Sequence, residues 1–141
     1  MEAYMDIDFS AINWMAVLVS VVAAQVVSTV WFVVLFGEPW AKEYGAKDKK
    51  EHTKAVPPYT YAVQLACTVV LVLSLAILQQ VAGVNSVGGA LATALFVIVG
   101  FSISTGLPGQ AFLKRWRVAA IAYGSQAAMI LVISLVLGLW R

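Results

Sequence analysis

The side chains that could do chemistry inside this chain are few. Gln25 and Gln126 each fall near the middle of a long apolar run. An amide there can contact a polar ligand in a central cavity, or clamp two helices together. Facing lipid would be costly, so each is expected to point inward. By residue count the two lie at similar depth, which makes a Gln25–Gln126 hydrogen bond geometrically feasible. Such a clamp contributes roughly 0.6 kcal/mol and rarely above about 2 kcal/mol. We read the pair as a clamp rather than a ligand contact. Gln64 sits nearer the charged end of its run.

The remaining candidates are weaker. His52 is the lone histidine, in a loop rich in Lys and Glu. One imidazole beside Glu51 and Asp48 is no metal-ligand set. Cys67, the only cysteine, lies in an apolar run where a thiol is usually inert, and a single cysteine forms no internal disulfide. Tyr123 and Ser125 neighbour Gln126, but no acid or base completes a catalytic group. Gly88-Gly89 is followed by no lysine and is not a phosphate loop. No catalytic, cofactor or metal site follows from the sequence.

The apolar runs that position these residues dominate the chain. Of its 141 residues 62% are hydrophobic and 11% charged, whereas a soluble domain is nearer half apolar and about a quarter charged. A water-soluble core could not hide this surface. The expected fold is all-α: a single membrane domain over residues 1–141, built as a four-transmembrane-helix bundle. Spans are expected at 11–36, 59–82, 88–106 and 116–139, with a loop at 37–58. Gly37-Glu38-Pro39 should end the first span, and a short helix is expected at Trp40 to Tyr44. Leu107-Pro108-Gly109 should break the third. The start of the chain holds Glu2, Asp6 and Asp8 and no base, unlike a secretory signal, so the first run should be retained as a helix.

Charge orients the spans. Lys42, Lys47, Lys49, Lys50 and Lys54 sit in one loop, and Lys114, Arg115 and Arg117 at another. The opposite side carries only Arg141. Cytoplasmic loops collect Lys and Arg, so both loops are expected inside and both termini outside a bacterial inner membrane. Trp31, Trp40 and Trp116 should mark the inner boundary, and Trp14 and Trp140 the outer one. No span carries an ionisable residue in its interior, which argues against a proton-driven carrier. A net charge of +2 without a basic face argues against nucleic acid.

Lipid tails compete with Leu for apolar contact, so membrane helices associate through small residues. Ala16, Ser20, Ala24 and Ser28 recur every fourth residue on the first span. Ala120, Gly124 and Ala128 do so on the fourth. Gly100 with Ser104, and Ser102 with Gly106, pair on the third. We read these as packing seams within one protomer, with self-association as the alternative. The two halves share a plan of span, basic loop, span.

Ile12-Asn13-Trp14 opens a helix closing with Trp31-Phe32, then Leu35-Phe36-Gly37-Glu38-Pro39-Trp40. Ala111-Phe112 opens a stretch closing with Val136-Leu137-Gly138-Leu139-Trp140. Over nearly its whole length the chain resembles the bacterial and fungal membrane family labelled domain of unknown function 1761. The resemblance implies a topology of about four spans and no established activity, substrate or cofactor. Members often carry a histidine near the position held here by Gln126, so the resemblance lends that site no titratable role.

Three functions compete. The first is a non-enzymatic bundle that assembles with itself, a membrane partner or lipid. The second is an oligomeric small-solute carrier or channel without proton coupling. The third is a lipid-modifying enzyme using His52 with neighbouring Lys and Glu. The charge reading predicts that, in a Cys67→Ala background, a cysteine placed at Asp8 reacts with an impermeant thiol reagent in intact cells. One placed at Lys49 should be protected; the reverse pattern would refute the orientation.

Overall fold

A computed structural model describes residues 6–140. Glu2 and Arg141, which enter the charge argument, lie outside the described residues. The fold is all-α, with no strand among the described residues. Four helical stretches, Trp14–Leu35, Tyr59–Val81, Val87–Phe112 and Trp116–Leu139, are long and apolar enough to cross a membrane.

After a 3₁₀ turn at Phe9–Ala11, helix α1 covers Trp14–Thr29 and passes into a π-helical stretch, Val30–Leu35. It starts later than residue 11 because Asn13 caps it, its Oδ1 accepting from Ala16 N at 3.0 Å. Helix α2 (Gly37–Glu43) turns away at Phe36. Helix α3 (Lys49–Ala55), read from sequence as plain solvated loop, is closed by a reciprocal cap. Asp48 Oδ1 accepts from Glu51 N, and Glu51 Oε2 accepts from Lys47 N, each at 2.8 Å.

Helix α4 (Tyr59–Val81) ends on Gly83, whose φ of 64° suits glycine. There Val84 N reaches back to the Gln79 carbonyl and Gly83 N to that of Gln80, pairing the last carbonyls of the helix. Helix α5 (Val87–Val97) starts at Ser86, whose Oγ accepts from Gly89 N. A second π stretch, Ile98–Ile103, joins it to α6 (Ser104–Phe112). The third span therefore does not break at Leu107-Pro108-Gly109; Pro108 lies within α6. A proline is tolerated in a membrane helix where hydroxyls and local re-registration satisfy the backbone. Ser104 Oγ donates to the Val99 carbonyl at 2.6 Å, and Thr105 Oγ1 donates to that of Phe101.

Helix α7 (Trp116–Leu139) is the hub, packing on α1, α5 and α4, while α4 also packs on α1. Its most buried residues include Ile133, Ser134 and Ser125. Ala16, Ser20 and Ala24 are fully buried on α1, and Ser28 partly so. On α7 the seam is different. Ala120 is exposed and Ala128 half-buried, and Gly124 holds the indole of Trp31 rather than a neighbouring backbone. A Cβ at Gly124 would stand 2.7 Å from Trp31 Cζ2. Trp31 Nε1 donates to the Ile121 carbonyl at 2.9 Å, the partner its N–H needs once buried. Trp31 is thus turned into the bundle rather than standing free at the membrane boundary. A close crossing of two helices lies elsewhere: a Cβ at Gly138 would stand 2.6 Å from that of Ala90 on α5. Gly100 has open space around it, so it is no seam within the protomer.

Gly138→Ala should therefore cost about 1–3 kcal/mol as α5 and α7 are forced apart, read as a lower Tm in detergent. Gly100→Ala should change stability by less than about 0.5 kcal/mol. Gly124→Leu should also destabilise, and less so in a Trp31→Ala background; equal costs in both backgrounds would show that the indole is not what the leucine meets.

Candidate functional site: a polar groove between helices

The chain brings its basic loops together at one end. Arg115 Nη2 donates to the Glu43 carbonyl, Arg117 pairs with Glu43 at 3.7 Å, and Arg115 lies over the ring of Tyr44. Lys49 Nζ donates to the Val33 carbonyl, folding α3 back against the end of the first span. Aromatic rings knit this end in a row. Phe32, Trp40, Tyr44 and His52 follow one another at centroid separations of 4.8, 5.1 and 5.2 Å. Trp40 is thus a partly buried member of a stack. His52 ends that stack. Among the described residues, no three of His, Cys, Asp and Glu come together as a metal could use them. At the other end, Asn13 Nδ2 donates to the Trp140 carbonyl and ties the start of α1 to the end of α7. Trp14, Trp116 and Trp140 are exposed near helix ends, where amphipathic rings favour an interface.

Between these ends the four spans do not close completely. Helix α4 leans on α1 and α7, α5 leans on α7, and no extensive packing joins α4 to the third span. Two adjoining cavities open there, of about 220 and 320 Å³, sharing Leu71, Gln126 and Met129. Every residue from Tyr61 to Cys67, in the first half of α4, is exposed. Helix α7 forms the floor of the groove, α4 one wall, and Phe101, Ser102 and Thr105 the other.

The polar groups anticipated from sequence gather here, in different pairings. Gln25 and Gln126 do not bond each other. Gln25 Nε2 donates to Thr68 Oγ1 at 3.0 Å, and that hydroxyl donates onward to the Gln64 carbonyl at 2.9 Å. Gln126 Oε1 instead accepts from Ser102 Oγ on the third span. Equal depth did not make them partners because their side chains leave α1 and α7 in different directions, each toward a nearer hydroxyl. Gln126 is moreover exposed in the groove rather than enclosed. Gln64, Cys67 and Ser125 line the same cavity, with Ser125 2% exposed. Thr68 and Ser102 were not singled out as amide partners from sequence; hydroxyls facing an amide-bearing span were the available signal.

Chemically the groove offers amides and hydroxyls, all neutral, and one thiol. It can bind by hydrogen bonding and apolar contact, and it holds no titratable acid or base pair.

No curated protein and no solved structure matches this chain. A family described as "Protein of unknown function (DUF1761)" matches residues 15–138. That match runs from the first turn of α1 to the last turn of α7, and includes the Trp31–Gly124 contact and the whole groove. The chain therefore belongs to the DUF1761 family.

Proposed function

We propose that the protein is a non-enzymatic integral membrane protein that assembles with a second copy of itself through the groove between α4 and the third span. The observation that carries this reading is Gln126: an amide in the middle of a membrane-spanning helix, exposed, with a single hydroxyl partner. Lipid offers an amide nothing, so another polar surface is the favourable neighbour. An amide is both donor and acceptor and therefore pairs with its own copy across a two-fold axis. Gln64, exposed on the facing wall, has the same property. In this arrangement both basic loops lie on the cytoplasmic side of a bacterial inner membrane and both termini outside, as the distribution of Lys and Arg favours. A membrane-protein partner or a lipid would occupy the same groove in the absence of the second copy.

The carrier reading draws support from the same wall of neutral polar groups. Two facing grooves would enclose a path for a small uncharged solute.

Cys67 lines the groove and is exposed, so the native chain carries its own probe. In native membranes a membrane-permeant bis-maleimide should link two chains through Cys67, and Cys67→Ala should abolish the dimer band. Gln126→Leu should weaken dimerisation about three- to tenfold by light scattering in mild detergent, the scale of one or two interhelical amide bonds. A chain that stays monomeric in both settings and is never linked through Cys67 would defeat the proposal.

A further inference from the structure

At the basic end of the bundle, the last residue of the first span, helix α2 and the first turns of α7 leave an open crevice of about 520 Å³. It shares no lining residue with the groove. Its wall is apolar, made of Phe36, Ala120 and Ile121, and its rim carries Lys42, Arg117 and Glu38.

The two parts stand at different depths. Arg117 and Ile121 are one turn apart on α7, about 6 Å along its axis. Trp116, exposed beside Arg117, is an amphipathic ring of the kind that favours the boundary between water and lipid. The rim therefore lies at the level of lipid head groups, and the wall one turn deeper, among acyl chains. A soluble anion would use only the rim; a phospholipid uses both.

The charged groups at the rim are accessible and little engaged. The Arg117 side chain is 72% exposed, and its contact with Glu43 at 3.7 Å is beyond hydrogen-bond reach. Its planar fork of donors is thus open to a phosphate. Lys42 is exposed and takes part in no ion pair among the described residues. Arg117 also stands in the first turn of α7, where the helix dipole adds partial positive charge. Glu38 lies four residues before Lys42, on the same face of α2. It opposes a bare phosphate and favours a head group that also carries a hydrogen-bond donor. The wider field selects the sign of the whole head group. The eight described Lys and Arg residues all lie at this end, with four carboxylates, Glu38, Glu43, Asp48 and Glu51, for a net charge of +4.

We propose that this crevice holds an anionic phospholipid of the leaflet that faces the basic loops, with phosphatidylglycerol as the form that fits. Its phosphate lies between Lys42 and Arg117, and a glycerol hydroxyl donates to Glu38. The start of an acyl chain lies on Phe36, Ala120 and Ile121. Phosphatidylcholine has the phosphate but neither a head-group donor nor a net charge; phosphatidylethanolamine has the donor and no net charge. The inference is independent of assembly through the groove.

The test is native mass spectrometry of the full chain from mild detergent with equimolar phosphatidylglycerol, phosphatidylethanolamine and phosphatidylcholine of the same acyl chains. Phosphatidylglycerol should be retained at least about fivefold better than either zwitterionic lipid, the scale of one basic side chain at an anionic surface. Lys42→Gln should remove most of that preference. Lys50→Gln makes the same charge change on exposed α3, away from the crevice, and should alter the preference less than about twofold. Ala120→Trp fills the apolar wall from an exposed position without touching a charge, and should lower retention with Tm unchanged. Retention of either zwitterionic lipid at the level of phosphatidylglycerol, equal losses in Lys42→Gln and Lys50→Gln, or full retention in Ala120→Trp would overturn the proposal.

Discussion

In a bilayer a polar group has no water to fall back on, and apolar surface gains little by leaving lipid. The architecture follows from that pair of facts. Helices must satisfy their own backbones, and they can hold one another only through close approach and the few hydrogen bonds available between side chains and carbonyls. Helix α7 illustrates both. It touches α5 where Gly138 meets Ala90, and the π stretch of the first span where Gly124 accommodates the Trp31 ring and the Ile121 carbonyl receives its N–H. The hydroxyls of Ser104 and Thr105 do similar work within one helix, donating to the Val99 and Phe101 carbonyls of the π stretch.

The spans themselves were legible because hydropathy is a one-dimensional property. Runs of apolar residues bounded by Lys, Gly and Pro identify a membrane helix without knowledge of its neighbours. What depended on direction was not legible. Gln25 and Gln126 share a depth, yet the angle at which each leaves its helix decides its partner, and that angle depends on how the helices cross. Trp31 carries the composition of a boundary residue and is claimed by a glycine one helix away. Pro108 has the composition of a helix stop, yet it lies inside α6, just past a π stretch that re-registers the backbone. Local chemistry that was readable in principle, such as Asn13 capping α1 or the Asp48–Glu51 pair capping α3, follows familiar spacing.

Polarity within the membrane is divided into two regions of different character. The groove holds amides and hydroxyls that pair with one another and open sideways toward lipid, which suits a neighbour approaching in the plane of the membrane. Near Trp140, Gln79 and Gln80 have their nitrogens committed to the Ser134 and Asp8 carbonyls, which ties α4 to α7 and to the start of the described chain. The two regions lie about three turns apart along α4, from Thr68 to Gln79.

The π stretches give the first and third spans a feature that hydropathy does not record. A π turn is equivalent to one residue added to an α-helix without moving either end, so the parts on its two sides are phased separately. In the third span the stretch Ile98–Ile103 lies between Ala94, buried in the core, and the groove-lining Thr105. One residue fewer there would rotate everything beyond it by about 100°. Thr105 would leave the groove wall and Gly106 would leave the Tyr123 ring that now rests on it. The surplus residue sets the phase: with it, one continuous span turns Ala90 toward Gly138 and Thr105 toward the groove.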